Sequence, residues 1–483
     1  MRTSALAALS SAYGCAAMVA ACASYCTFVV AEDGTLFAWG KGDYGQLGLG
    51  DQEHRRQPAL VGSGDAPCKV VVVAASGSHL AAATEDGALW TCGAGGAGQL
   101  GHGDGAMRSR PVRLGLEVFG GSPVVLVACG QSHTLAVTGG GRVATCGINS
   151  GGQLGHGNRT STQVFALVDA QQLWGARIIM AACGYNHSVA VTAEGDVFTW
   201  GSGAHGRLGH NDEQDRLGPA RLAREQFGGG HVVLVAGGSA HTVALTAGGL
   251  LWVWGCAVHG QLGLGDASHR LVPTRLGARE VFGGSLVRMA ACGGWHTLAV
   301  TEDGGAWTWG NGTFGQLGLG SNVVDDALDV SFPLRFPWQC FAGARVATVS
   351  GGHCHSAAVT EGGALYTWGR GEVAAYARSQ VPGDLGHADL RDRLEPTLVS
   401  QCLLGGARVG RWHGLAEEHI LAFAMGTHAR LGAGAGGSAG EDKPCPYLML
   451  QEELVQRVVE ACRWDAAKAG EGVARLVGGW TEA

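Results

Sequence analysis

The sequence has no basic stripe. Its net charge is −7 with histidine neutral, and its clustered cations are short spots such as Arg55 with Arg56 and Arg408 with Arg411. A chain that grips nucleic acid through phosphates needs such a stripe, so no nucleic-acid partner is expected. No run of 18 apolar residues escapes polar interruption, which argues against a membrane-spanning helix. The 15 cysteines are an odd number and contain no Cys-x-x-Cys pair, which argues against a disulfide framework. The glycine-rich loops lack the Gly-Lys-Ser/Thr run and following helix of a phosphate cradle. No Ser/His/Asp or Cys/His arrangement stands out, so the sequence offers no catalytic residue, no metal site and no cofactor.

What is present is glycine, 84 residues of it, and 46% hydrophobic residues, enough for a sizeable core. The glycines recur at fixed positions, which points to turns and away from disorder. Residues 124 to 168 show one full copy. Val124 to Cys129 is a short apolar run, and Gly130-Gln131-Ser132 turns the chain. His133 to Thr138 is a second strand, Arg142 to Cys146 a third, and Val164 to Val168 a fourth. Four short strands bounded by glycine turns make one antiparallel blade.

The copies share four markers. A glycine-containing turn, Asp33-Gly34 in the first copy and Gly140-Gly141 in the third, reads as a two-residue hairpin needing positive φ. A histidine opens the second strand at His79, His133, His187, His241, His296 and His355, with successive separations of 54, 54, 54, 55 and 59 residues, and Cys26 takes its place in the first copy. Trp-Gly closes the third strand at Trp39, Trp200, Trp254, Trp309 and Trp368, with Cys92 and Cys146 in copies two and three. A Gly-x-Leu-Gly loop follows, as in Gly45-Gln46-Leu47-Gly48 and Gly206-Arg207-Leu208-Gly209.

Ala-Cys-Gly-x-x-His-Thr, Trp-Gly and Gly-Gln-Leu-Gly at this period resemble the regulator of chromosome condensation repeat. The resemblance implies an all-β, seven-bladed propeller with tandem repeats of about 54 residues. Residues 1–17 read as an N-terminal extension: an Ala-rich stretch like a weak signal peptide, although 18–31 fall in register with the repeat. The propeller is expected over 18–425, including a partial eighth copy at Arg408–Val409 and His419–Ala424. A Gly-rich linker is expected at 426–443 and a short helical tail at 444–483. Leu450, Leu454, Val455, Val458, Val459 and Cys462 form an apolar helical face there. Leu450 to Val455 also resembles the opening of an F-box, though Gln451 stands where that motif has proline.

The repeated histidines and tryptophans are expected to be structural, because a catalytic group is needed once and these recur. His353-Cys354-His355 has the look of a ligand cluster, but on a strand alternate side chains share one face and the middle one does not. Cys22, Cys129, Cys183 and Cys292 share one repeat position, which suggests small buried thiols in a reducing compartment, cytoplasmic or also nuclear. Function is expected where the copies differ, in the pair of residues before each histidine. Gln131, Tyr185, Asn186, Trp295 and His353 are the candidate partner-face residues there, since aromatic side chains often anchor interfaces.

The family resemblance implies a choice of partners. Nucleotide exchange on the Ran GTPase would imply acidic residues in these loops and an inserted wedge after one Trp-Gly. None of the six pre-histidine pairs holds Asp or Glu, and copies two to six carry no such insertion. A plant ultraviolet-B photoreceptor shares the fold with several tryptophans clustered in these loops; here Trp295 is the only one. The reading is a non-enzymatic interaction scaffold for a protein partner. A small GTPase (exchange factor) and a ubiquitin-ligase subunit (F-box-like adaptor) remain as alternative partners.

Overall fold

The computed structural model describes residues 20–62, 69–277, 281–320, 329–371, 385–400 and 404. The chain divides into two units, Met1–Gly414 and Leu415–Ala483. The N-terminal extension, the partial eighth repeat, the linker and the helical tail lie outside the described residues.

Seven four-stranded antiparallel sheets are present, each made of four consecutive strands. Blade 1 spans 20–60, blade 2 70–114, blade 3 124–167, blade 4 178–222, blade 5 232–275, blade 6 287–335 and blade 7 346–398. In blade 1, Ala20–Cys22 pairs with Cys26–Val30. In blade 7, Arg393–Leu398 pairs with Leu365–Gly369. Both blades at the ring closure therefore fill their four places without the partial eighth repeat.

The burial pattern follows from a blade having a neighbour on each face. Every residue of His133–Thr138, a second strand, is buried, whereas the fourth strand Arg55–Leu60 has a largely exposed pattern. Strands covered on both faces read as continuous apolar runs, not as an alternation. The apolar side chains gather into seven clusters, each joining two adjacent blades. Between blades 5 and 6, for example, Val243 and Val253 meet Trp307 and Trp309 around Phe282. Phe282 belongs to the connection after the fourth strand, where Phe119, Leu173, Phe227, Phe341 and Leu404 are buried likewise. Full burial of one such side chain is worth about 1.5–3 kcal/mol, so each of these six connections plugs its own seam.

The turn between second and third strands differs from the two-residue hairpin expected. In blade 3 the Gly141 N–H donates to the Thr138 carbonyl and the Thr138 N–H to the Arg142 carbonyl, so three residues bridge the strands. Only the last of them, Gly141, has positive φ (78°). This matches the longer hairpin in which a left-handed glycine ends the turn.

A second histidine series escaped the sequence reading. His102, His156, His210 and His387 follow Gly-x-Leu-Gly, and each Nε2 lies 2.9–3.0 Å from a buried third-strand hydroxyl, those of Thr91, Thr145, Thr199 and Thr367. Each threonine donates to the carbonyl of the loop leucine, as Thr199 does to Leu208 at 2.7 Å. Its oxygen is then free to accept from the imidazole. Blades 1 and 5 replace the pair by Ala38 with Leu49 and Val253 with Leu264. Blade 6 mixes the two solutions: Thr308 faces a loop with Leu319, and its buried Oγ1 has no hydrogen-bond partner.

Two predictions follow from these local features. Gly249 has φ 71° and an added Cβ would fall 2.6 Å from that of Leu286, whereas its neighbour Gly248 has open space. Gly249→Ala should cost more than ~1 kcal/mol, and Gly248→Ala should gain up to ~1 kcal/mol by restricting the unfolded chain; thermal melting of the two variants should move in opposite directions. Thr308→Val should be neutral or stabilising, while Thr199→Val, which strands His210, should cost about 1–3 kcal/mol in denaturant unfolding.

Candidate partner-binding face

The seam residues set the platform. Each histidine that opens a second strand is fully buried, and its Nε2 meets a hydroxyl of the next blade. The pairs are His79–Thr134 (2.8 Å), His133–Ser188 (3.1 Å), His187–Thr242 (3.0 Å), His241–Thr297 (3.1 Å), His296–Ser356 (2.8 Å) and, across the closure, His355–Thr27 (2.9 Å). The hydroxyl in turn donates back to the Gly-x-Leu-Gly loop of the histidine's own blade, as Ser188 does to the Gln153 carbonyl at 2.9 Å. That donation fixes the hydroxyl as acceptor from the ring, so the proton sits on Nε2. The buried tryptophan of the next blade donates to the same carbonyl: Trp200 to Gln153, Trp254 to Arg207, Trp309 to Gln261 and Trp368 to Gln316, at 2.9–3.0 Å. Where cysteine replaces tryptophan, the thiol takes over at longer range, Cys146 to Gln99 at 3.5 Å. Trp39 is fully buried in the cluster that joins blades 7 and 1.

The seam between blades 1 and 2 departs from this scheme. Cys26 stands at the histidine position, Leu80 at the hydroxyl position and Cys92 at the tryptophan position. All three are buried in one apolar cluster. The histidine and its hydroxyl partner have been exchanged together, which leaves neither unpaired.

Glycine explains the approach of the imidazoles. A Cβ on Gly130, Gly184, Gly238 or Gly293 would fall 2.0–2.2 Å from the histidine Cε1 three residues on. In blade 2 this glycine is Ser76, whose Oγ lies 2.7 Å from His79 Nδ1. Burial holds these imidazoles neutral: His79, His241, His296 and His355 are pushed down to about 3 and His133 to about 4. His355 is thereby committed to Thr27, so the three residues 353–355 do not converge on one point.

The first strands line the propeller axis, around a cavity of ≈ 230 Å³. Cys22, Cys129, Cys183 and Cys292 end four of these strands and are half-buried. Cys129 Sγ lies 3.5 Å from the Ala74 carbonyl and Cys292 Sγ 3.6 Å from the Ala236 carbonyl, each in the preceding blade. Burial raises Cys183 to about 12 and Cys129 and Cys292 upward as well, so these thiols are poor nucleophiles.

The pre-histidine pairs form the tips of the loops around the mouth of this cavity. In blade 3 the Gly130 N–H donates to the His133 carbonyl, leaving two residues at the tip. Neighbouring tips are linked through the backbone: Gln131 N–H to Tyr185 O (3.1 Å), Tyr185 N–H to Gly238 O (3.2 Å), Gly294 N–H to Gly352 O (2.9 Å) and His353 N–H to Ala23 O (3.3 Å). The structure sorts the candidate residues into two sets. Gln131, Tyr185 and His353, first in their pairs, line the axial mouth. Tyr185 is 39% exposed, and His353 packs toward Tyr25 with ring centroids 6.3 Å apart. Trp295, second in its pair, turns outward onto His259 of the preceding blade, 5.5 Å between ring centroids. Asn186, also second, is half-buried, and its carbonyl accepts from Ser202 N–H at 2.9 Å.

The outer part of this face comes from the loops between third and fourth strands, which the sequence reading set aside. His259 Nδ1 lies 2.9 Å from Asp329, and Asn311 donates to the same carboxylate at 2.8 Å. Arg370 stacks over Phe314 at 4.3 Å, and Lys41 lies 5.5 Å over Tyr25. Five carboxylates here are matched by an arginine four residues on: Asp51–Arg55, Asp104–Arg108, Asp212–Arg216, Asp266–Arg270 and Asp389–Arg393. These exposed pairs shape loops and add little stability. The combination of exposed aromatics, stacked cations and paired charge suits recognition of a protein surface.

The seam histidines make stability depend on pH. Their folded pKa values lie below the unfolded value near 6.5, so the unfolded chain binds more protons in acid. Stability is whole above pH ~6.5 and falls by up to ~1.4 kcal/mol per pH unit for each such histidine below it. Thermal melts followed by circular dichroism should show a steep drop between pH 6.5 and 4, before carboxylate protonation is complete; a flat profile there would contradict neutral burial.

Comparison with known proteins gives a consistent answer. The RCC1-like domain matches residues 65–428, and the regulator of chromosome condensation (RCC1) repeat matches residues 33–83. The ultraviolet-B receptor UVR8 of Arabidopsis thaliana is 36% identical over 392 residues, 81% of this chain and 83% of that protein. The secretion-regulating guanine nucleotide exchange factor of Bos taurus is 34% identical over 363 residues, 70% of this chain and 74% of that protein. The crystal structure of Prp20p from Saccharomyces cerevisiae shares the fold, with a TM-score of 0.65 at 23% identity over 81% of this chain and 94% of that one. With its repeats, its seams and these relatives in agreement, the chain belongs to the family of RCC1-like propellers.

Proposed function

We propose that this propeller is a non-enzymatic docking scaffold whose loop-tip face, centred on Tyr185, Trp295 and His353, receives a protein partner. One observation carries this reading. The seam and turn residues repeat from blade to blade, while the side chains that differ collect on one face around the axial mouth. A backbone-linked rosette of loop tips is a rigid platform, and rigid aromatic anchors bind at low entropic cost. The odd number of cysteines, with no Cys-x-x-Cys pair, fits a reducing compartment, the cytoplasm or the nucleus.

Nucleotide exchange on a small GTPase is the second reading, favoured by the similarity to the secretion-regulating exchange factor. The pre-histidine pairs of blades 2 to 7 contain no Asp or Glu, which weighs against a Ran-type interaction at this face. Photoreception receives no support from the geometry, because Trp295 stacks on His259 and not on another tryptophan. The adaptor reading rests on the tail at 444–483, and deletion of residues 441–483 separates it from docking by the propeller.

Affinity purification of the wild type and of Tyr185→Ala/Trp295→Ala, with mass spectrometry, tests the face. Loss of the principal partner in the double variant, at unchanged melting temperature, is the expected result; an unchanged partner list refutes the reading. A fluorescence assay of nucleotide release from a Ran-type GTPase should show no acceleration.

A further inference from the structure

Blade 4 breaks the loop pattern at one point, and the break gathers three metal-ligating side chains. In blades 1, 2, 3, 5 and 6 the residue two before the glutamine of Gly-Gln-Leu-Gly donates its backbone N–H to that glutamine's Oε1, at 2.8–3.0 Å: Tyr44 to Gln46, Ala97 to Gln99, Gly151 to Gln153, His259 to Gln261 and Phe314 to Gln316. Blade 4 has Arg207 instead, which cannot accept. Its guanidinium turns away to the Ala204 and Ser239 carbonyls, at 2.8 and 3.0 Å. Released from that bond, His205 adopts a left-handed backbone, φ 61° and ψ 16°, which a residue with a Cβ rarely takes.

The consequence is a cluster across the seam of blades 4 and 5. One ligand atom each from His205, Cys256 and His269 lies within 4.8 Å of the others. The two imidazoles meet edge to face at 5.0 Å between centroids. Cys256 is 1% exposed, while both histidines are half-buried and reach the loop face. Elsewhere the Cys256 position holds Lys41, Ala94, Ile148, Ser202, Asn311 or Arg370, so the thiol is particular to this seam.

We propose that His205, Cys256 and His269 form a zinc site, with a fourth position open to water or to a ligand from a docked partner. Two imidazoles and a thiolate are a donor set that favours zinc over the hard cations magnesium and calcium. Metal–ligand bonds of about 2.0–2.3 Å place tetrahedral donors roughly 3.3–3.8 Å apart, so the cluster must contract by about 1 Å. Binding releases one proton: the Cys256 S–H is exchanged for S–Zn, and both histidines ligate as neutral rings. Two features oppose it. The His269 Nδ1 now accepts from the Ala257 N–H at 3.2 Å, so its ring must turn to present an unprotonated nitrogen. The Arg207 guanidinium is also close enough to interact with Cys256. These features make the site weaker than a closed structural zinc centre, and His205 with Cys256 the primary pair. The site does not depend on the docking reading.

Cobalt(II) is the probe, added to the reduced full-length chain, with zinc as competitor. The expected result is one equivalent of tetrahedral cobalt with a thiolate-to-metal charge-transfer band, displaced by zinc. Cys256→Ser should abolish the band. His205→Gly should weaken binding at least tenfold while melting no lower than wild type, because glycine is at home in the left-handed backbone. That variant separates lost ligation from lost folding. A wild type without the band overturns the proposal, as does a band that survives in Cys256→Ser.

Discussion

Six of the seven seams in the ring are joined by one hydrogen-bond relay. A neutral histidine donates to a hydroxyl on the next blade, and that hydroxyl donates back to a loop carbonyl of the histidine's own blade. The Nε2 donor and the hydroxyl are tolerated in the interior because each satisfies the other, whereas Nδ1 of His133, His187, His241 and His296 is buried with no hydrogen-bond partner. The indole of the next blade adds a second donor to the same carbonyl, so a single backbone oxygen ties loop, strand and core together. The apolar clusters supply most of the stabilising energy, but they are non-directional. The relay sets the register and angle at which one blade meets the next.

The blade 1–2 seam shows what that relay is and is not required for. There Cys26, Leu80 and Cys92 stand at the histidine, hydroxyl and tryptophan positions, with Cys26 Sγ 3.7 Å from the Ser76 carbonyl and Cys92 Sγ 3.7 Å from the Gln46 carbonyl. A seam without the histidine–hydroxyl pair is acceptable when both partners change together. In the separate within-blade series, Thr308 shows the opposite case, a hydroxyl beside a loop that has Leu319 where other blades have histidine, and its Oγ1 has no hydrogen-bond partner.

The repeat was legible because period, turns and buried positions all rest on local rules. Glycine, His and Trp-Gly recur at one spacing, and that suffices for seven blades. The turn was misread by one residue: Asp33-Gly34 and its counterparts look like two-residue hairpins, yet only the glycine is left-handed. The loop tips were legible as a face but not in their division. Tyr185 and Trp295 occupy adjacent steps of one motif, and only the twist of the hairpin decides that one faces the axis and the other the next loop. The series His102, His156, His210 and His387 could have been found, since Gly-x-Leu-Gly-His is visible in the sequence. His205 could not, because its turn depends on a hydrogen bond that Arg207 fails to make.

Among the described residues no strand is exchanged between the first and last blades, and this shapes how the chain can reach its final form. Each sheet closes within some forty to fifty residues of its own sequence, so assembly relies on contacts that are short in chain separation, the kind that form fast. The exception is the joint where Thr27 meets His355, 328 residues apart. That joint adds only a few bonds between blades already complete, such as the His353 N–H to the Ala23 carbonyl and the Ala388 N–H to the Arg56 carbonyl. Closing the ring is thus a docking event, late and with little backbone left to rearrange, and an open arc of finished blades is its natural precursor.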